Sequence, residues 1–306
     1  MAIKLPWVEK YRPETINEYV FKSSSLKTKV ESWISEGTIP HLLLSGKPGT
    51  GKTSLAKLLF NELGINDLDV MVVNASRENS VETIREKIIK FAELIPYGKY
   101  KIILLDEATY LSASAQTVLL GILEEYVDIT RFIFTTNHPN KILPAIHSRC
   151  QHIQFDTMDI NEYTAKVATI LIEEGIKFDL DVLDTYVKAS YPDLRKCINN
   201  VELNSQHNIL TISETTTSED DGYIVEMVSL FKAGKIREAR KLVCSNVKPE
   251  EIEDIYRWMY NNLDMFGDED KQEQALLIIK QGLVDHTLMA DVEINLAAVM
   301  VRLSHL

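Results

Sequence analysis

The sequence predicts an α/β fold with a mostly parallel β-sheet, followed by regions built only of helices. Five short apolar runs between residues 41 and 155 alternate with amphipathic segments, and they read HLLLSG, DVMVVNAS, KIILLDEA, RFIFTTN and CQHIQF. Nearly continuous apolar strands that alternate with helices are typical of a parallel sheet covered on both faces. After Phe155 the strand patterns end and apolar residues recur at helical spacing.

The helical region divides at a polar segment, ISETTTSEDDG at residues 212–222, which is rich in Thr and Ser and ends on glycine. Such a segment is typical of a linker. The final segment, INLAAVMVRL, is apolar around most of its circumference, which predicts packing between subunits. The three predicted domains are residues 1–157, 158–222 and 223–306.

Composition excludes several classes of protein. Of the 306 residues, 45% are hydrophobic and 25% are charged, as in ordinary globular proteins. The N-terminus carries charges and prolines, and no run reaches the roughly 18 apolar residues of a membrane helix, so we expect a cytoplasmic protein without membrane contact. Cys150, Cys197 and Cys244 are too few and too far apart for a disulfide framework or a Cys-x-x-Cys zinc site. The net charge of −12 argues against bulk electrostatic binding to nucleic acid, so any DNA contact must be local.

GKPGTGKT, from Gly46 to Thr53, follows an apolar strand and opens an amphipathic helix. It matches the phosphate-binding pattern G-x-x-x-x-G-K-[ST] in the required context. Its glycines let backbone N–H groups surround phosphate oxygens, Lys52 neutralises the β and γ phosphates, and Thr53 offers a hydroxyl to Mg²⁺. The predicted ligands are therefore ATP and Mg²⁺.

Two carboxylates, Asp106 and Glu107, end the apolar strand KIILLDEA. At the carboxyl end of a parallel strand, Asp106 can support Mg²⁺, partly through water, and Glu107 can orient the attacking water. An acidic pair favoured by a helix dipole is the alternative.

Three further polar residues are candidates for the same site. Asn137 ends the strand RFIFTTN and can hold the γ-phosphate or the attacking water, or it is simply a turn residue. Arg195 in PDLRK can reach the phosphates from a helix start, or it is a solvated surface residue. Arg149 in HSRCQ has no carboxylate within four positions before it, so its partner lies elsewhere in the chain, in solvent or on another molecule.

These motifs together resemble the AAA+ ATPases, and in particular the DNA clamp loaders: replication factor C small subunits and the large subunit of T4-type phage clamp loaders. WVEKYRP, PHLLLSGKPGTGKT, NASRE, LDEA, HSRC and PDLRK stand in the order and approximate spacing of that family across residues 7–200. The resemblance implies an AAA+ core, a helical lid and a C-terminal helical collar. It also implies a DNA- and clamp-stimulated ATPase that opens a ring-shaped clamp and loads it on primer-template DNA during replication.

The resemblance assigns roles to individual residues. Lys52 and Thr53 correspond to Walker A, Asp106 and Glu107 to Walker B, Asn137 to sensor 1 and Arg195 to sensor 2. Arg149 corresponds to an arginine finger that acts on ATP bound by a neighbouring subunit. Further residues expected around the nucleotide are Val8, Tyr11, Arg12, Pro13, Gly46, Pro48, Gly49, Thr50, Gly51 and Ser54.

The same resemblance suggests partners. Copies of this chain and a distinct loader subunit would form a pentamer around primer-template DNA, with DNA polymerase an indirect partner. DNA phosphates would contact residues near two helix starts, although helix capping also explains the serines: Arg77, Ser80, Arg85, Ser112 and Ser114. In FAELIPYG, four residues could bind the clamp or belong to the core: Phe91, Leu94, Ile95 and Tyr97.

One feature departs from the family. The helix after Walker B is predicted to bury a stripe that leaves out Leu120 and Gly121, where the family usually has one or two arginines. Their absence leaves Gln116, which matches the family, as the residue expected to couple subunits. Two other functions remain open: another AAA+ DNA motor, such as a branch-migration helicase, and a scaffold subunit that binds ATP without hydrolysing it.

Overall fold

The computed structural model describes residues 5–78, 80–155, 158–212 and 222–306. The predicted linker at 212–222 lies almost wholly outside the described residues, as does residue 157, where the first domain is predicted to end. The described chain divides into two compact units, one formed by residues up to Ile170 with Pro192–Asn199, the other by Leu171–Tyr191 with Asn200–Leu306. The division into three domains stays a prediction.

The first unit is built on a parallel five-stranded sheet, as the apolar runs predict. Its strands are β1 (Leu42–Gly46), β2 (Val70–Asn74), β3 (Lys101–Asp106), β4 (Thr130–Thr136) and β5 (Gln151–Phe155). They lie in the order β2–β3–β4–β1–β5. Leu42 of β1 stands opposite Ile133 of β4 and Gln151 of β5. The ends of β1, β3 and β4 therefore meet at one edge, where an α/β sheet presents its ligand-binding groups.

Helices cover both faces of this sheet. Those of the first unit are α1 (Trp7–Lys10), α2 (Ser24–Glu36), α3 (Lys52–Glu62), α4 (Val81–Glu93), α5 (Ala113–Glu125) and α6 (Pro144–His147). Leu42 and Leu44 pack in one apolar cluster with residues of α2 and α3, while Leu43 packs in a second cluster with residues of α4 and α5. Successive side chains on a strand point to opposite faces, so each leucine of β1 contributes to one layer.

The buried face of α5 differs in one residue from the face that the sequence predicts. Gly121 is exposed as predicted, but Leu120 is half-buried and packs against the second apolar cluster. The prediction that Leu120 lies off the buried stripe was therefore wrong. The apolar face of α5 is wider than the spacing of three and four suggested, because it packs against both the sheet and α4.

Three helices follow β5 along the chain. α7 (Ile160–Glu173) and α9 (Leu194–Leu203) each contribute residues to both units, and α8 (Leu180–Ser190) lies in the second. A two-stranded antiparallel ribbon follows, β6 (Ser205–Gln206) with β7 (Ile209–Leu210). The remaining helices are α10 (Gly222–Lys232), α11 (Ile236–Asn246), α12 (Ile252–Asn261), α13 (Glu269–His286) and α14 (Val292–Leu303).

The second unit has its own core, in which Val228, Tyr256, Ile279 and Met300 are almost completely buried. The last helix, α14, buries one face and leaves Ile294 exposed. The three cysteines are free thiols, of which Cys197 is buried and the others partly exposed. Over the residues that the structure describes, none of the helices is both long and apolar enough to cross a membrane.

Candidate functional site

The predicted phosphate loop connects β1 to α3 and forms one wall of a pocket of about 380 Å³ in the first unit. Gly51 precedes the helix with φ at +86°, a conformation that side chains disfavour, so the turn into α3 needs glycine. The Lys52 side chain is buried, and its Nζ donates hydrogen bonds to the carbonyl oxygens of Gly46 at 2.8 Å and Lys47 at 2.6 Å.

Burial and the charges of neighbouring side chains both shift the pKa of Lys52. Burial, the largest effect, and the nearby Arg195 lower the pKa of its ammonium group, whereas Asp106 and Asp193 raise it, and the result is a pKa of about 8. A lysine that is charged at neutral pH, but partly desolvated, attracts phosphate strongly because little water must be removed from it on binding.

Thr53 and Asp106 meet beside this loop. Thr53 Oγ1 donates to Asp106 Oδ1 at 2.9 Å, and Thr135 Oγ1 donates to the same carboxylate oxygen. A hydroxyl and a carboxylate this close provide the hard oxygen ligands that Mg²⁺ prefers. The residues present therefore fit the predicted Mg²⁺ site.

Glu107 follows with its backbone in the left-handed region, at φ +56°. This conformation costs energy for a residue other than glycine, and such outliers are concentrated at functional sites. The backbone N–H of Glu107 donates to Thr135 Oγ1 at 3.0 Å, which holds the turn in place. Glu107 and Asp106 consequently both line the pocket, at the carboxyl end of β3.

The pocket brings together nearly all of the nucleotide-site residues predicted from sequence. Those that line it are Val8, Tyr11, Arg12, Pro13, Pro48, Gly49, Thr50, Gly51, Lys52, Thr53, Ser54, Asp106, Glu107, Asn137 and Arg195. Gly46 does not line the pocket and acts through its carbonyl oxygen, which accepts from Lys52. Arg195 reaches the pocket from the first turn of α9. Arg12 contacts Glu9, with Nη2 and Oε1 2.6 Å apart.

The structure adds lining residues that the sequence did not predict, including Tyr19, Thr135 and Lys166. Tyr19 donates from its hydroxyl to the carbonyl oxygen of Gly51 at 3.2 Å, and its burial raises its pKa. Lys166 brings a further cation from α7. Thr135 lies within RFIFTTN, two positions before Asn137, whereas Tyr19 and Lys166 stand outside the quoted motifs, so only the folded chain identifies these two.

Arg149 does not line the pocket. Its Nε donates to Glu124 Oε1 at 2.7 Å, Nη2 contacts the same oxygen, and Nη1 donates to the carbonyl oxygen of Ala145 at 2.9 Å. The side chain is 37% exposed. The partner that the neighbouring sequence lacks is thus a glutamate at the end of α5, 25 residues earlier.

Residues predicted to bind DNA lie near the starts of α4 and α5. Arg77, Ser80 and Arg85 are exposed at or before α4, and Ser112 and Ser114 are exposed at the start of α5. Ser112 caps α5 by accepting from the backbone N–H of Ala115 at 3.2 Å. Because β2 and β3 are adjacent parallel strands, the segments that leave their carboxyl ends begin at the same edge of the sheet. Whether they contact DNA stays a prediction.

Gln116 connects α5 to the segment before Arg149. Its Nε2 donates to the carbonyl oxygens of Leu111 at 3.2 Å and Lys141 at 3.1 Å, and its Oε1 accepts from the backbone N–H of Leu143 at 2.8 Å. The side chain is 2% exposed. These contacts tie the start of α5 to the segment 141–143, and a coupling role for Gln116 stays a prediction.

In the segment FAELIPYG, Phe91 packs against the core, whereas Leu94, Ile95 and Tyr97 are 62%, 88% and 76% exposed. Of the four residues considered for clamp binding, three are therefore available at the surface.

Comparison with known proteins identifies the family of the chain. Residues 42–158 match the AAA family, the ATPase family associated with various cellular activities. A replication factor C small subunit from Methanococcus vannielii is 34% identical over 77% of this chain and 77% of its own length. The corresponding protein of Sulfurisphaera tokodaii is 32% identical over 97% of this chain and 94% of its own. Replication factor C subunit 4 of Saccharomyces cerevisiae is 27% identical over 92% and 87%.

Among solved structures, RuvB of Thermotoga maritima, a Holliday junction branch migration motor, has a TM-score of 0.56 over 81% of this chain and 80% of its own. At 18% identity, this likeness concerns the fold alone. The predicted AAA+ fold is confirmed, and the sequence relatives favour a replication factor C small subunit over a branch-migration motor. The chain belongs to the replication factor C small-subunit family of AAA+ ATPases.

Proposed function

We propose that this chain is the ATP-hydrolysing subunit of a sliding-clamp loader, and that it completes its neighbour's active site with Arg149. One observation carries the proposal: Lys52, Asp106, Glu107 and Arg195 line one pocket, while Arg149 lies outside it with its guanidinium partly exposed. The pocket of one chain thus contains every predicted catalytic residue except the arginine finger. If a neighbouring copy supplies that arginine, each site is complete only in an assembly of several copies.

Within one chain, each of these residues has a separate role in phosphoryl transfer. Lys52 and the backbone N–H groups of the phosphate loop bind the β and γ phosphates. Glu107 orients the attacking water and accepts its proton, Asn137 holds the water or the γ-phosphate, and Arg195 reaches the phosphates from α9. Thr53, and Asp106 through water, would hold Mg²⁺, which would neutralise charge on the phosphates.

The remaining partners follow from the family and from the surface. Primer-template DNA would contact Arg77, Ser80, Arg85, Ser112 and Ser114, and a ring-shaped clamp would contact the exposed side chains of the segment 94–97. Copies of this chain and a distinct subunit would form a pentamer at the replication fork, in the cytoplasm of the cell or of a phage's host. Gln116 would relay DNA contact at α5 to the segment that carries Arg149.

The decisive experiment is the steady-state ATPase rate with and without primed DNA, partner subunit and clamp. We expect strong stimulation in the complete assembly and its loss in Arg149→Ala, by about 10³-fold or more. Lys29→Ala, which removes an exposed cation of α2, is the control and should behave as wild type.

Mixing two inactive variants tests action between subunits. Lys52→Ala chains lose the phosphate-binding ammonium group but retain Arg149, and Arg149→Ala chains retain a complete pocket. Mixed assemblies should recover part of the activity, because intact pockets then face intact arginines. If the mixture stays inactive while each variant still assembles, Arg149 acts within its own chain. If the wild type binds ATP but does not hydrolyse it in any assembly, the chain is a scaffold subunit.

A further inference from the structure

The carboxylate of Asp193 lies directly against the phosphate loop. A methyl group added to Gly49 would stand 1.7 Å from Asp193 Oδ1 and 2.2 Å from its Cγ, far inside any permitted contact. Gly49 also has φ at +67°, so the position needs glycine for two separate reasons. A negative side chain is thus packed on a loop whose function is to bind anions.

Local structure fixes the position of this carboxylate. Asp193 Oδ1 accepts from the backbone N–H of Lys196 at 2.9 Å, which caps α9, and the Asp193 carbonyl accepts from the Tyr163 hydroxyl at 3.1 Å. α9 is the helix whose first turn presents Arg195 to the pocket. The aspartate therefore links the start of α9 to the phosphate loop, and both belong to the first unit.

The charge of Asp193 reaches the centre of the loop. Asp193 and Asp106 are the two carboxylates that raise the pKa of Lys52, although burial lowers this pKa by more. A carboxylate that attracts the Lys52 ammonium must also repel phosphate groups bound beside that ammonium, because the interaction falls only as the inverse of distance. Repulsion grows with each phosphate charge.

We propose that Asp193 sets the affinity of the pocket for nucleotide: its negative charge, held against Gly49, weakens polyphosphate binding and so favours release. This inference rests on the proposed ATPase function. A subunit that must bind and release nucleotide repeatedly needs limited affinity, and Asp193 supplies an opposing charge to the attraction of Lys52 and Arg195. Helix capping alone would explain the contact with Lys196 but not the packing on Gly49.

The variant Asp193→Asn removes the negative charge of this side chain but keeps its ability to cap α9. Asparagine caps helices as well as aspartate does and has nearly the same shape, so the variant should fold and unfold thermally as the wild type does. Asp179→Asn is the matched control, because Asp179 caps α8 by accepting from the backbone N–H of Asp181 at 2.8 Å and does not line the pocket.

The measurement is equilibrium binding of ATP, ADP and AMP to the full-length variants near pH 7, below the pKa of Lys52. We expect Asp193→Asn to bind ATP about three- to tenfold more tightly, ADP by a smaller factor and AMP without change. The gain should shrink at high salt, because screening shortens the reach of the charge.

Two results would overturn the inference: unchanged ATP affinity in Asp193→Asn, or a gain of equal size for all three nucleotides. A gain of the same size in Asp179→Asn would overturn it as well, since Asp179 does not line the pocket. Wild-type protein that binds no ATP would instead refute the proposed function, and the inference with it.

Discussion

Arg149 is bound to Glu124: its Nε donates to Glu124 Oε1 at 2.7 Å, and Nη2 contacts the same oxygen. The two side chains are 37% and 56% exposed. An ion pair this accessible to water contributes little to stability, about 0 to 1 kcal/mol. The contact is consequently weak enough for Arg149 to exchange Glu124 for another anionic partner, as its proposed role requires.

Glu124→Gln should therefore change little. We expect the free energy of unfolding, measured by urea titration, to fall by less than about 1 kcal/mol. The ATPase rate of the assembly should be retained or increase, because the arginine is released more easily. Glu125→Gln, one position along α5 and also exposed, is the control. A loss of activity as large as that of Arg149→Ala would instead make Glu124 part of the catalytic apparatus.

Binding to DNA should depend on Arg85 through charge and not through base sequence. Arg85 is exposed on α4, and removing one phosphate contact should reduce the slope of log affinity against log salt by about 0.9 on duplex DNA. The variant Arg85→Ala should weaken binding equally for different primed sequences. Lys90→Ala, an exposed cation at the other end of α4, should leave the slope unchanged. Identical slopes for Arg85→Ala and wild type would argue against this contact.

Much of the site could be predicted because its chemistry is encoded locally. The phosphate loop combines a strand, glycines and a helix start within eight residues, and Asp106 and Glu107 end an apolar strand. These patterns determine both conformation and position, since parallel strands bring their carboxyl ends to one edge.

The remaining site residues depend on contacts between distant segments. Thr135 holds Asp106 and Glu107 from another strand, and Tyr19 reaches Gly51 from 32 residues away. Glu124 meets Arg149 because α5 packs against α6, which Arg149 closely follows. Leu120 is half-buried for the same kind of reason, because the width of a buried face depends on what packs against it.

Lys101 should be essential for the stability of the segment 91–98. Its side chain is 1% exposed, and Nζ donates to the carbonyl oxygen of Phe91 at 2.6 Å and to that of Leu94. Lys101→Met would leave these partly buried carbonyl groups without their lysine donor, at a cost of about 1 to 3 kcal/mol in the free energy of unfolding. Lys99→Met, at an exposed position, should cost less than about 0.5 kcal/mol. Equal effects in urea unfolding would contradict the role of Lys101.

Stability should fall in mild acid because of His41. Burial, with a smaller contribution from Arg131, lowers the pKa of this histidine from 6.5 to about 4. Its Nδ1 also accepts from the backbone N–H of Phe132 at 3.0 Å, which requires the neutral ring. The unfolded chain therefore binds a proton near pH 6.5 that the folded chain binds only near pH 4, so stability is complete above pH 6.5 and falls as pH decreases between these values.

The total loss from this group is at most about 3 kcal/mol. In His41→Asn, the amide oxygen can accept from Phe132 without titrating. As the pH falls from 7 to 4.5, the free energy of unfolding of the wild type should decrease relative to that of His41→Asn. A constant difference across that range, measured by urea unfolding, would show that His41 does not titrate as inferred.

Replacing each of two helix glycines by alanine should change the stability of the protein in opposite directions. Gly282 lies in α13 where a Cβ would stand 2.5 Å from Val299 Cγ2 and 3.0 Å from Tyr256 Cε1, and its carbonyl oxygen accepts from Asn295 Nδ2 at 2.8 Å. Gly282→Ala should force these side chains apart and destabilise the second unit by about 1 to 3 kcal/mol, even though alanine favours the helix.

Gly121 provides the matched comparison. It lies within α5, it is exposed, and a Cβ there would meet no atom within 4 Å apart from the adjacent backbone of α5 itself. Gly121→Ala should stabilise the first unit by about 0.5 to 1 kcal/mol, since only the conformational freedom of glycine is removed. Thermal unfolding of the two variants should shift in opposite directions from wild type. A downward shift for Gly121→Ala would mean that α5 needs flexibility or a close contact at this position, and an unchanged midpoint for Gly282→Ala would mean that α13 and α14 can separate without loss.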